Sequence, residues 1–190
     1  MSTPPNTLLT EEQYLEIERA AESKSEFFEG EMFPMAGAGA SHNRLVWNMI
    51  AELAPQLGSG PCQGFPSDMR VRVSSSGLFT YPDVVVVCGE PQFLDDRRDT
   101  LLNPSLIVEV LSPSTESYDR GRKFEHYASI PSLSEYLLVA SDRIHLDLYV
   151  RQPGGQWLLT SANGPEGALD LISARCRLMA SALYRDVVLA

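Results

Sequence analysis

The sequence predicts one α/β (α+β) domain, a mixed central β-sheet flanked by helices, and three observations carry that prediction. The apparent order of elements is helix, strands, helix, three strands, helix, strands, which suits a layered sheet-and-helix architecture. Leu106–Leu111 (Leu-Ile-Val-Glu-Val-Leu) is apolar on both faces except at Glu109, as expected of a strand covered on both sides. A helical stretch lies between that strand and the next apolar one, so the crossover from Leu111 to Tyr136 should be right-handed. At 190 residues the chain is long for one domain and short for two; its 44% hydrophobic and 21% charged residues are ordinary for a globular protein. We expect a flexible polar arm over residues 1–7 and a single domain over 8–190.

The elements follow from local signals. Thr10 is a good N-cap with Gln13 three residues on, so a helix should run to about Glu22. Glu26–Phe33 reads as two short strands around a Glu-Gly turn. Ala36–Ala40 is a small-residue loop that fits no phosphate-binding motif. Ser41 should cap a second helix reaching about Leu57, with Leu45, Val46, Met49, Ile50, Leu53 and Leu57 at helical spacing. Met69–Val73 alternates as a half-exposed strand and should form a hairpin with Thr80–Cys88 across Ser74–Gly77. Residues 89–103 read as a polar loop, and 117–130 as one helix stopped by Pro131. Tyr136–Ala140 and Ile144–Val150 should pair across Ser141-Asp142-Arg143, with Trp157–Ser161 after Pro153-Gly154-Gly155. An apolar segment near 169–172 and a helix or turn near 180–186 close the chain. Trp47 and Trp157 are read as core or surface packing residues.

Charge and cysteine usage set expectations about partners and compartment. The net charge is −10, which opposes simple phosphate binding. Residues 11–31 hold eight glutamates against Arg19 and Lys24 and so carry −6 of it; basic groups sit at Arg97-Arg98 and Arg120–Lys123. Any nucleic acid would be bound weakly and with salt sensitivity, or with the help of a partner. Cys62, Cys88 and Cys176 show no zinc-ligand spacing, and Cys88 ends an apolar run as a small buried hydrophobe would. No basic-then-apolar leader and no membrane-length apolar run is visible, so a reducing cytoplasm is expected.

Glu109 is the position that points to chemistry. A carboxylate inside a buried strand must be protonated, paired or bound to a cation. A buried ion pair is the plain reading, and a metal site is the functional one. Asp83, at the entrance of the Val84–Cys88 run, can join Glu109 if the two strands are neighbours, and two carboxylates plus waters suit magnesium. Asp119, Lys123 and Tyr127 fall at i, i+4 and i+8, either as a solvated face or as a stripe turned toward those carboxylates. In the second case Lys123 orients an attacking water and offsets charge growing on phosphate. Glu26 is open between metal shell and surface acid, His42 between site lining and a local helix-start partner, and Tyr127 between site and core. His126 and His145 show no metal-ligand spacing.

Together Tyr81-Pro82-Asp83-Val84-Val85-Val86-Val87, Val108–Thr115 and Asp119-Arg120-Gly121-Arg122-Lys123 with Tyr127 resemble the Uma-two family of bacterial endonucleases. That family is placed in the PD-(D/E)XK superfamily. The resemblance extends to Glu26–Glu31, Ser41-His42-Asn43 and Pro131–Val139, covering about residues 8–188. It implies a restriction endonuclease-like fold with added N-terminal and C-terminal strands. It further implies Asp83 and Glu109 as metal carboxylates with the Val110 carbonyl, Lys123 as the superfamily lysine, and Mg²⁺ or Mn²⁺ as cofactor. One departure is plain: the usual Glu-x-Lys would place lysine at 111, where this chain has Leu111. The implied activity is endonucleolytic hydrolysis of DNA leaving a 5′-phosphate, by a homodimer. The rivals are a catalytically idle binding or adaptor module and a hydrolase of a smaller phosphodiester.

Overall fold

Thr10 and Gln13 set the first helix as the sequence suggests. Thr10 Oγ1 accepts from the Gln13 amide, Gln13 Oε1 accepts from the Thr10 amide, and α1 runs over Glu11–Ala20. This computed structural model describes residues 8–189, so the arm expected over residues 1–7 lies outside the described residues. β1 (Ser25–Phe28) and β2 (Glu31–Pro34) form the expected hairpin around Glu29 and Gly30, both at positive φ. Only Gly30 takes that conformation without a steric cost. α2 (Ala40–Leu57) is capped at Gly39, not at Ser41; it begins two residues early, and Ser41 Oγ donates to the Val188 carbonyl instead.

Three expectations in the middle of the chain are corrected. First, β3 (Cys62–Pro66) forms where no alternation signals a strand. Second, β4 (Arg70–Val73) does pair with β5 (Leu78–Thr80), but the strand does not continue to Cys88. Pro82 has a fixed φ and no amide to donate, so the ladder stops and β6 (Val84–Cys88) joins a different sheet. Within β4, Arg70 is buried, not half-exposed. Third, the helix expected over 117–130 is two. After β7 (Thr100–Leu101) and β8 (Leu106–Leu111) come α3 (Glu116–Arg120) and α4 (Arg122–Ala128), broken at Gly121 with φ −112° and ψ −101°. Glycine adopts that non-helical conformation readily and has low helix propensity.

The rest follows the apolar pattern: β9 (Glu135–Ala140), β10 (His145–Arg151), β11 (Trp157–Asn163), β12 (Ala168–Leu171), β13 (Cys176–Met179) and α5 (Ala180–Leu183). A six-stranded mixed sheet has the order β11-β10-β9-β8-β6-β3; β8 and β9 are parallel, as a crossover requires, and the other pairs are antiparallel. A five-stranded sheet, β2-β1-β5-β4-β7, carries the N-terminal strands, and β12-β13 form a small C-terminal ribbon.

β8 is central because both of its faces are covered. Leu106, Val108 and Val110 pack with Leu45, Met49 and Leu53 of α2, while Ile107 and Leu111 pack with Tyr127, Ile130 and Leu133. Alternation therefore turns Glu109 toward the α4 side. Complete burial of such side chains stabilises by roughly 1.5–3 kcal/mol each, so this sandwich can hold a costly carboxylate at its centre. Trp47 lies on the surface of α2, 67% exposed.

Cys88 is not a lone buried hydrophobe. The β3–β6 register sets Cys62 directly opposite Cys88, and the two form a disulfide; Cys176 is free and buried. Without β3 in the reading, that pairing could not be anticipated. No helix among the described residues is long and apolar enough to cross a membrane.

Candidate active site

β6 runs antiparallel to β8 with Val84 opposite Val108 and Val85 opposite Ile107. Continuing that register by one residue sets Asp83 opposite Glu109, where β6 begins. Asp83 Oδ2 accepts from the Val110 amide at 2.7 Å, which pins the carboxylate to the end of β8. Val110 thus meets Asp83 through its amide. His42, in the first turn of α2, approaches Asp83 Oδ2 with Nε2 at 3.2 Å, and its buried Nδ1 has no hydrogen-bond partner among the described residues.

The Gly121 break does not scatter the Asp119, Lys123 and Tyr127 stripe. All three are buried, so it is not a solvated face. Lys123 Nζ lies 2.9 Å from Glu109 Oε1, 3.3 Å from Glu26 Oε1 and 3.6 Å from Asp119 Oδ1. Tyr127 donates its hydroxyl to Glu109 Oε1 at 2.8 Å. Thr80 Oγ1 donates to Glu26 Oε1 at 2.5 Å, which ties the β1 carboxylate to the end of β5. Tyr136 donates to the Asp119 carbonyl at 3.1 Å and supports the helix break from below.

One ammonium is shared among more carboxylates than it can neutralise. Burial pushes the Glu109 carboxyl up to about 8; Lys123 opposes this, and Asp119 and Asp83 add to it. Burial also raises Asp119, again with Asp83 and Glu26 contributing. For Lys123, burial works toward the neutral amine, but Glu109, Glu26 and Asp119 prevail and hold it well above its usual value. Burial, then Glu109, keeps the Tyr127 phenol protonated as a donor. Burial, more than the neighbouring acids, thus favours a proton on Glu109, while one ammonium faces three carboxylates within 4 Å.

All the sequence-selected residues (Glu26, His42, Asp83, Glu109, Asp119, Lys123 and Tyr127) therefore meet at the shared end of β6 and β8. Thr80 and Tyr136 were missed. Neither had a spacing or composition signal, since each reads as an ordinary strand residue. Among the described residues, no three His, Cys, Asp or Glu side chains form a ready-made metal cage.

Comparison with known proteins bears on the family and the fold. Residues 11–174 match the Uma2 family, described as "Putative restriction endonuclease". The chain belongs to the Uma2 family. It is 41% identical over 163 residues to the uncharacterized protein sll1609 of Synechocystis sp. (strain ATCC 27184 / PCC 6803 / Kazusa), covering 86% of this chain and 92% of that one. A second protein of that organism, slr1290, is 36% identical over 185 residues, 96% and 95% of the two chains. Among solved structures, that of "a putative nuclease belonging to DUF820" from Anabaena variabilis ATCC 29413 superposes with a TM-score of 0.72 at 17% identity, covering 93% of this chain and 98% of that one. At that identity the likeness shows the fold, which is restriction endonuclease-like. Family description and fold together support a nuclease.

Proposed function

We propose that this Uma2 protein is a divalent-metal-dependent endonuclease that hydrolyses phosphodiester bonds in DNA, with Asp83, Glu109 and Lys123 as its catalytic residues. The observation that carries the reading is the buried excess of carboxylate around Lys123 at the junction of β6 and β8. An acid excess with hard oxygen donors fits a hard cation such as Mg²⁺ or Mn²⁺. The absence of a protein cage is no obstacle, because magnesium keeps several waters and needs only one or two carboxylates.

Asp83 and Glu109, with the Val110 carbonyl, would hold the ion, which when bound polarises the scissile phosphate and lowers the pKa of a water. The chain's own groups do the rest. The Val110 amide fixes Asp83 at the strand end, and Tyr127 fixes Glu109. Lys123, kept charged by three acids, can turn its ammonium to the attacking water and offset charge on the phosphorane. Glu26, tied to Thr80, restrains the ammonium on the side away from β8. His42 braces Asp83 from α2.

Supercoiled plasmid incubated with Mg²⁺ or Mn²⁺ tests the reading. Wild type should nick it, Asp83→Ala should lose both nicking and calorimetric metal binding, and Lys123→Ala should lose nicking but retain binding. Metal binding that survives Asp83→Ala, or nicking that survives Lys123→Ala, removes that residue from the mechanism. Absence of any cleavage by wild type would leave a binding module on a nuclease fold.

A further inference from the structure

A cleft of about 320 Å³ opens beside the carboxylate cluster, within the size range of small-ligand sites. The β1–β2 hairpin lines one side with Glu26, Phe28 and Phe33; α3 and α4 line the other with Tyr118, Arg122 and His126. Those last three recur every fourth residue, one position ahead of Asp119, Lys123 and Tyr127. Adjacent stripes of the same bent helix pair thus serve the carboxylates and the cleft. Glu26 belongs to both places, because it lines the cleft and lies 3.3 Å from Lys123 Nζ. Phe33 is its direct cross-strand partner.

The walls are aromatic and partly wet. Phe33 is 46% and Tyr118 37% exposed, and Phe28 meets the His126 ring edge-on at 4.8 Å between centroids. Arg122 is exposed and enters no ion pair among the described residues. Burial, and then Arg122, lower the His126 pKa, so at neutral pH its ring packs as a neutral surface. Open ring faces, one uncommitted cation and a shared border with the acid cluster suit a planar group attached to a phosphate.

We infer that this cleft is a subsite for one unstacked nucleobase flanking the scissile phosphate, so that the preferred substrate is single-stranded or splayed DNA. A base inside a duplex offers only its edges; its face reaches an aromatic wall once it leaves the stack. The charge of the chain argues the same way. At −10 it gains little from phosphate neutralisation, whereas base stacking contributes regardless of the protein's charge. Arg122, at the edge of the cleft, then meets the phosphate next to the held base. The inference names the substrate class of the site proposed above and rests on that reading for the scissile bond.

The test is anisotropy titration of a short fluorescein-labelled oligonucleotide, single-stranded or annealed to its complement, in Ca²⁺. Wild type should bind the single strand about tenfold more tightly than the duplex. Phe33→Ala with Tyr118→Ala should lose about tenfold for the single strand and nothing for the duplex, while Phe33→Tyr with Tyr118→Phe should retain the preference. Both positions are exposed, and a thermal melt confirms that the variants fold. Equal affinity for the two forms, or a double alanine variant that binds like wild type, overturns the inference; so does a preference abolished by Arg122→Ala alone and indifferent to the rings. Cleavage in Mn²⁺ is read separately. A ring-dependent preference without cleavage keeps the subsite and sinks the nuclease, whereas equal cutting of both forms unaffected by the ring variants does the reverse.

Discussion

Two charge clusters, each centred on a buried cation, lie on either side of the short strand that ends at Thr80, and they are built on opposite principles. Around Arg70 the charges nearly balance. Arg70 donates to Thr100 and Tyr81 and pairs with Asp99; Arg19 grips Asp99 through two nitrogens and reaches Asp95; Tyr81 and the Ser25 amide both donate to Glu18 Oε1, while its buried Oε2 has no hydrogen-bond partner among the described residues. The Arg70 guanidinium also lies over the rings of Tyr14 and Tyr81. Around Lys123 one ammonium serves Glu109, Glu26 and Asp119, with Asp83 close enough to raise two of them. Consecutive residues feed the two clusters, Thr80 into the second and Tyr81 into the first. The first network is largely paired within the chain, as a structural device would be, whereas the second, open one leaves carboxylate charge that the proposed cation would offset.

The sharpest way to break this contrast is to remove each cluster's central cation. Lys123→Ala should lower the rate of DNA cleavage by about 10²–10³-fold, measured by single-turnover nicking, because it deletes a group aimed at developing charge. Arg70→Met should leave cleavage chemistry intact in the folded fraction but cost about 2 kcal/mol, since the buried Tyr81 and Thr100 hydroxyls lose their donor while Asp99, partly exposed, keeps Arg19. In a chain of this length that is a fall of about 4–8 °C in melting temperature. If Arg70→Met instead abolished turnover in a fully folded protein, the division into structural and catalytic clusters would be wrong.

The two clusters were not equally legible. Glu109 stands out because it interrupts an otherwise apolar strand, and Asp119, Lys123 and Tyr127 announce themselves by helical spacing. The Gly121 break did not matter to that stripe, since one residue of bend leaves the same face inward. Arg70 gave no such signal: in Met-Arg-Val-Arg-Val it looks like the polar half of an alternating strand, and its burial depends on α1 and the 95–100 segment folding over it. The Cys62–Cys88 pair was hidden for a related reason, because cross-strand register is a long-range property. Local periodicity revealed β8, β9, β10 and α2. It could not show that Pro82 sends one apolar run into two sheets, and that switch is what turns Asp83 toward Glu109.

Neutralising a carboxylate in each cluster should move stability in opposite directions. Glu109→Gln keeps the size of the side chain and an acceptor for Tyr127 while removing an under-compensated charge, so the metal-free protein should gain about 1 kcal/mol and melt about 2–4 °C higher. The same variant should not cleave DNA. Asp99→Asn deletes the charge gripped by Arg19 and Arg70 and should melt lower. A Glu109→Gln protein less stable than wild type without metal would mean that the carboxylate is already fully compensated, and the argument for a missing cation would fall.

The smallest effect is the pH signature of each cluster, and its sign differs between them. Hydrogen bonds from Arg19 hold Asp99 well below the usual carboxylate range, so its contribution is present above the unfolded value of about 3.9 and is lost as pH falls toward the folded one. Glu109 behaves inversely. With an ordinary value of 4.5 and a folded value near 8, it binds its proton more tightly when folded; its contribution is present at low pH and is lost as pH rises from 4.5 through about 8. Melting curves from about pH 3 to pH 9 should therefore show an acid limb that Asp99→Asn flattens and a shallow alkaline slope that Glu109→Gln flattens. Added Mg²⁺ should flatten the alkaline slope in wild type as well, because a bound cation favours the ionised carboxylate. An alkaline slope that survives both Glu109→Gln and saturating Mg²⁺ would belong to some other group, and would leave the open cluster with no measurable demand for a cation.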